Sequence, residues 1–415
     1  MASAEQESST QRVSAAAVPV LLLLVFISLI GWGMVIPLLP FFATAFAAKP
    51  WHVTLLFAIY SAGQFLGELF WGRLSDRIGR RPVLLLTIVG SGLGYLALAY
   101  ASNIWVALAL RGAGGFFSGN MSAIQGYMVD VSPPQKLAGR LGLIGSAFGI
   151  GFVVGPALGG LLARPELGAE GFQPPLLLSA GLCALATVGI VAFVRESRQG
   201  GGAVARGNPF AALGEAMRHP VLSRAFGVIS VGFFASSALW SVLGLWMGAR
   251  FDWGPRQVGL VMAITGVASA LTQGVFAGVS VRRLGPGPTM VGGLLFASVC
   301  LLAMAASPNG TFATVTLTLS ILGHALWQPA ATAIVSRAAD PDRQGAVLGA
   351  ASASGSLARV IGPVFSGALF AGVGPWASIA FAALFMLPAA WLAWSATRAL
   401  LQSEQAAAEV DAAAE

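Results

Sequence analysis

Charge is scarce in this chain: of 415 residues only 9% are Asp, Glu, Lys or Arg, while 56% are hydrophobic and the mean hydropathy is +0.80. A water-facing surface takes about 25% charged residues, so a soluble globular domain is excluded. Cysteine is almost absent. Cys183 and Cys300 both lie in apolar runs, which excludes a disulfide framework and any zinc-ligand spacing. The three histidines, His52, His219 and His324, do not cluster. With no metal constellation, no nucleophile–base pair and no GxxxxGK[ST] phosphate loop, the expectation is a protein that is not an enzyme, holds no metal or cofactor and does not use ATP. The formal charge of +7 is scattered over short loops rather than gathered on an aromatic-rich face, which excludes a nucleic-acid surface.

What is present is apolar length. Fifty-three glycines and 22 prolines sit inside hydrophobic runs, where membrane helices tolerate them. A helix needs about 20 apolar residues to cross a bilayer. Cutting at turn signals predicts twelve crossings, roughly 17–43, 52–76, 82–101, 103–129, 138–163, 174–194, 221–248, 256–281, 288–306, 311–336, 345–371 and 375–397. The fold class is therefore all-α, a polytopic membrane protein in contact with the lipid bilayer. The polar stretch 1–14 lacks the basic, apolar and small-residue order of a secretory signal; it reads as a disordered N-terminus. Residues 15–194 and 221–398 read as six-helix bundles, 195–220 as a Gly- and Arg-bearing linker, and 399–415 as a tail. With an inside N-terminus, 17 Lys and Arg residues fall in cytoplasmic segments and four (Lys49, Arg164, Arg250, Arg256) outside. The positive-inside rule then sets both termini in the cytoplasm.

The halves repeat at an offset of 206–207 residues. Arg77, Gly79 and Pro82 fall on Arg283, Gly285 and Pro288; Pro134 and Gly142 on Pro341 and Gly349; Gly155-Pro156 on Gly362-Pro363. Duplicated bundles of this kind suit rocking around a midplane site.

Four segments carry further pattern. After the second span, Gly72, Asp76, Arg77, Gly79, Arg80 and Arg81 form a compact turn with one acid and three arginines. The fifth span holds Gly151, Gly155, Pro156, Gly159 and Gly160, a spacing that lets helices approach closely around a proline bend. Arg111 and Gly115 lie in the fourth span, and GWGMVIPLLP (Gly31 to Pro40) in the first. Together these resemble the signature loop, the antiporter motif, the fourth-helix arginine motif and the first-helix motif of the major facilitator superfamily. The likeness is to its twelve-helix drug:H+ antiporters, tetracycline/H+ antiporters above all, and covers both halves. Two positions depart from that pattern: Ser28 stands where those exporters have a first-helix aspartate, and 288–306 holds no acid.

The resemblance implies a proton-coupled exporter of small lipophilic or amphipathic compounds, a monomer in a bacterial inner membrane working by alternating access. Export of one endogenous metabolite is the alternative, and a non-transporting sensor or scaffold the other class. An ionisable group at membrane depth costs about 2.5–3.5 kcal/mol, so each such residue is a candidate. Glu68 lies two turns before Asp76. Burial disfavours its carboxylate, making it either a proton carrier or one half of an ion pair with Arg359, because helices two and eleven meet in the family. In the resembled proteins the arginine matching Arg111 assists proton transfer; snorkelling or carbonyl capping is the other reading. His324 either titrates or is a hydrogen-bonded structural group. Asp130 is placed for a gating salt bridge with Arg77 or Arg80, and Asp76 to face the start of helix eleven. Trp32, Gln64, Gln125, Phe233, Phe234, Trp240, Trp246, Gln273, Trp327 and Gln328 fall near midplane in helices that line the family's cavity, where aromatics and amides suit a flat amphipathic ligand.

Overall fold

In the computed structural model of the chain, the described residues are 19–197 except 20 and 24, together with 214, 217–340 and 344–414. The expected N-terminal segment 1–14 and most of the linker lie outside them. Every regular element among the described residues is helical. In lipid, peptide groups must be satisfied within their own segment, and this composition leaves that as the one solution. Among the described residues ten helices are long and apolar enough to cross a membrane: α2 (Pro50–Ile78), α3 (Arg80–Ala99), α5 (Pro134–Leu162), α6 (Gln173–Phe193), α7 (Pro220–Phe251), α8 (Pro255–Leu271, continuing through a π-helical turn to Ala277–Leu284), α9 (Pro286–Ala305), α10 (Gly310–Ala338), α11 (Gln344–Gly372) and α12 (Pro375–Ala414). The two remaining expected spans are interrupted. Helix α1 (Leu21–Val35) breaks around Pro37 and resumes at Leu39–Thr44, and α4 (Ile104–Ser118) breaks at Gly119-Asn120 and resumes at Met121–Asp130.

Two boundaries differ from the sequence reading. The charged signature after the second span is not a loop: Gly72 to Ile78 are the last two turns of α2, Arg80 opens α3, and Gly79 alone turns the chain, at φ +105°. Helix α12 runs on to Ala414, through the expected tail, because its Ala-, Gln- and Glu-rich end has high helix propensity.

Two compact units form, Met1–Ala203 with Asp252–Val267, and Val204–Phe251 with Ala268–Glu415. In the first, α2 and α4 cross on glycine. A side chain at Gly63, Gly67 or Gly115 would overlap the carbonyl of Gly112, Phe116 or Tyr60, and one at Gly119 would lie 2.6 Å from the Gln64 carbonyl. Helix α5 presents two faces. Gly151, Gly155 and Gly159 admit the α1 backbone around Leu29, Gly33 and Met34, while Gly160 meets Pro255 and Gly259 at the start of α8. Gly266, in the part of α8 that belongs to this unit, faces the Phe152 carbonyl, the group whose helical donor Pro156 lacks.

In the second unit, α9 and α10 meet at Gly293 and Gly323, and Gly355 and Gly362 of α11 lie on Phe233 and Phe234 of α7. Its core gathers Phe226, Met290, Leu294 and the fully buried Trp327. The duplication is visible in the backbone. Gly79 and Gly285 share φ/ψ of +105°/162° and +84°/162°, and Pro156 and Pro363 sit inside α5 and α11. Asn103 and Asn309 each cap a helix, accepting from the backbone N–H three residues on at 3.0 and 2.9 Å.

Valine at Gly115 is expected to cost at least about 1–3 kcal/mol by overpacking, lowering the melting temperature of the purified protein. Valine at Gly114, where an added Cβ meets nothing within 4 Å, is expected to leave it nearly unchanged. Equal shifts would refute the close α2–α4 approach.

Candidate functional site

Three clusters of polar residues interrupt the apolar interior. The first surrounds the Gly79 turn. Arg80 is 6% exposed. Its guanidinium lies 2.8 Å from the Asp76 carboxylate and donates to Asp130 at 3.3 Å and to the Ser75 hydroxyl at 2.6 Å. Gly126 of α4 makes room for it, since a Cβ there would come within 2.6 Å of the guanidinium carbon. The fork geometry of arginine allows one side chain to tie α2, α3 and α4 together. Beyond the turn, the Glu196 carboxylate accepts from the backbone N–H groups of Arg80 and Arg81 at 2.9 and 3.1 Å. It thereby caps two orphan donors at the positive end of α3. Gly79 is needed twice here, for its positive φ and because a Cβ would strike that carboxylate. Asp130 reaches Arg80 as expected, and also accepts from Ser197 at 3.0 Å, whereas Arg73 and Arg77 are exposed.

The second cluster is a cavity within the first unit, about 860 Å³ including its open mouth, to which all six helices α1–α6 contribute. Trp32 and Gln64, both expected, line it; so do Ser28, Tyr60, Tyr95 and Asn120, which the sequence reading did not single out for a cavity. Asn120 sits in the α4 break and donates to Thr87 at 2.9 Å. Non-helical backbone at membrane depth is tolerated where it lines a cavity or is buried in protein, and α4 opens at such a place. Arg111 is 4% exposed, with its guanidinium carbon 4.0 Å from the Tyr60 ring centroid. Glu68 lies on α2, two turns past Tyr60, and is half-buried.

The third cluster belongs to the second unit and joins four expected residues. Trp327 donates its indole N–H to His324 Nδ1 at 3.0 Å, and His324 Nε2 is 3.1 Å from the Ser236 oxygen. The Ser236 hydroxyl donates to Gly232 O at 2.6 Å. The same indole N–H is 3.3 Å from His324 Nε2, so both ring nitrogens face hydrogen-bonding partners. This favours the structural role of the two open to His324. The Phe233 ring stands edge-on to Trp327 at 5.5 Å, and Arg359 lies 4.8 Å from the Phe233 centroid while donating to Ser356 at 2.7 Å.

Other expected cavity residues lie elsewhere. Phe234, one position on from Phe233, packs among Phe365, Phe381 and Phe385. Trp246 is 1% exposed and stacks edge-on with Phe251. Trp240 is half-buried, whereas Gln125, Gln273 and Gln328 are exposed; Gln273 donates to Ser269 at 3.0 Å within the α8 irregularity. Tyr60 and Tyr95 had a compositional signal, being two of only four tyrosines in the chain. Glu196 had none, since its partners lie 115 and 116 residues away.

A sequence model of the Major Facilitator Superfamily matches residues 21–241 and 225–411. The class C tetracycline resistance protein of Escherichia coli is 30% identical over 387 residues, covering 89% of this chain and 95% of that protein. Multidrug resistance protein 2 of Bacillus subtilis is 26% identical over 360 residues, covering 85% and 88%. Among solved structures, a bacterial homologue of the human lysosomal transporter Spinster, inward-facing and unoccupied, superposes with TM-score 0.78 at 16% identity, covering 94% of this chain and 98% of that one. The human organic anion transporter MFSD10 (TETRAN) gives 0.69 at 23%, covering 92% and 99%.

Arg80→Ala would remove the cation that Asp76 and Asp130 share. Removing one partner of a fully buried pair costs about 3–5 kcal/mol; with both carboxylates about a quarter exposed, the loss is expected near or below the lower end. Denaturant or thermal unfolding of the variant checks this, and an unchanged midpoint would count against the hub.

Proposed function

Because the chain belongs to the Major Facilitator Superfamily, it is a multi-pass membrane transporter, and we propose that it exports small lipophilic or amphipathic compounds, drugs among them, in exchange for protons. The observation that carries this reading is the cavity of the first unit. It combines the rings of Trp32, Tyr60 and Tyr95 with the amides of Gln64 and Asn120, a wall suited to a flat ligand with one or two polar groups. Relatives named for tetracycline and multidrug resistance support the same class of cargo. The proposed setting is a bacterial inner membrane, with both termini cytoplasmic and the protein a monomer.

The two duplicated bundles would expose the site alternately to either face. Glu68 is the proposed proton carrier. Among the membrane-spanning stretches of the first unit it is the acid placed away from a helix end, since Asp76 and Asp130 are engaged at Arg80. Ser28 removes the alternative carrier in α1. Protonation of Glu68 would remove a charge whose burial is costly, allowing the bundles to rock; its deprotonation on the other side would reset the cycle.

The test is accumulation of tetracycline and lipophilic dyes by efflux-deficient cells expressing the protein, with and without an uncoupler. Reduced accumulation that vanishes with uncoupler is expected, and no reduction for any compound, with the protein verified in the membrane, would refute drug export. Reconstituted Glu68→Gln should lose proton-driven flux at least about tenfold while retaining substrate counterflow. Loss of both would make Glu68 a structural residue.

A further inference from the structure

Among the described residues of the first unit, Arg111 is a buried cation with no carboxylate beside it. Its Nε is buried without a hydrogen-bond partner. The acid placed along α2, Glu68, is two turns from the Tyr60 ring that Arg111 stacks on, about 12 Å at the helical rise. An aromatic face compensates a buried cation only in part, and an uncompensated charge is among the costliest things an apolar interior can hold.

Beside the guanidinium there is room. Arg111 lines a small space, about 240 Å³ with its open surroundings included, with Tyr60, Ser91, Gly94, Tyr95 and Gly114. An added Cβ at Gly114 would meet nothing within 4 Å, and one at Gly94 would meet only Gly114, at 3.5 Å. No side chain fills it from either glycine. Tyr60, Ser91 and Tyr95 also line the 860 Å³ cavity, so the two spaces share a wall. A cationic fork, two phenols and a hydroxyl surround this small space, next to a larger apolar one.

We propose that Arg111, Tyr60 and Tyr95 form an anion subsite, and that the compounds this protein carries include amphipathic monoanions. The ionised group, a carboxylate or a comparably acidic enol or phenol, sits against the Arg111 fork, where planar two-point pairing is available. Its aromatic body extends along Trp32 in the larger cavity. The binding half of this inference stands on the geometry alone; the transport half rests on the exporter reading above.

Calorimetric titration of the purified full chain in detergent tests it with three ligands of one shape: 2-naphthoate, 2-naphthamide and 2-naphthylmethylammonium. Naphthoate is expected to bind at least about tenfold tighter than the amide, with the cation weakest. Arg111→Gln should bring naphthoate down to the amide's affinity, and Arg111→Lys, which keeps the charge without the fork, should fall between. Equal binding of acid and amide by the unmodified protein would overturn the proposal without any variant, so a misfolded Arg111→Gln does not rescue it. A preference for the acid that survives Arg111→Gln would overturn it as well. Chloride that binds with no preference among the naphthyl ligands would leave an inorganic-anion site and overturn the substrate class. Efflux of neutral dyes with no acid preference in binding removes this inference and spares the exporter reading; acid preference without efflux does the reverse.

Discussion

Lipid offers no hydrogen bond to an exposed peptide group and no hydrophobic reward for burying one apolar helix against another. The first condition makes every regular element of the described chain a helix. The second leaves van der Waals contact to hold the helices together, and contact of backbone on backbone requires the absence of a side chain. This is why glycine is so abundant, and why it is concentrated where helices cross: Gly63, Gly67 and Gly115 between α2 and α4, Gly33 and Gly155 between α1 and α5, Gly293 and Gly323 between α9 and α10. The same condition confines irregular backbone. Helix α4 breaks at Asn120, on a cavity wall and with its side chain bonded to Thr87.

Polar groups follow an equally strict economy. Arg80 satisfies two acids and a serine; Glu196 satisfies two backbone donors; Trp327, His324, Ser236 and Gly232 form a hydrogen-bonded chain. Arg111 Nε departs from this pattern, as do Arg81 Nε and Ser122 Oγ among the described residues. The Arg111 guanidinium borders the space it helps line, and an unmatched buried polar atom of this kind calls for an explanation.

The fold was legible in the sequence because its determinants are local or periodic. Apolar length marks the spans, small-residue spacing marks the close crossings, and the offset of 206–207 residues marks the duplication. The charged signature was misread as a loop because polar residues signal loops in water, whereas α2 and α3 here carry them in their end turns. Sites were less legible, for geometric reasons. Phe233 and Phe234 are neighbours in sequence but about 100° apart around a helix, so one reaches Trp327 and the other a phenylalanine cluster. The Glu196 cap joins segments that only the folded chain brings together.

The matched bends at Gly79 and Gly285 have the same backbone but different upkeep. At Gly79 the next two residues, Arg80 and Arg81, keep their N–H groups, and an acid from elsewhere holds them. At Gly285 the next three are Pro286, Gly287 and Pro288, so two of the donors that would need a partner do not exist. One copy is fastened by a bond that protonation, ionic strength or a competing cation can undo. The other is fastened by covalent structure, which answers to none of them. Of two turns with one ancestry in geometry, only the first can act as a latch.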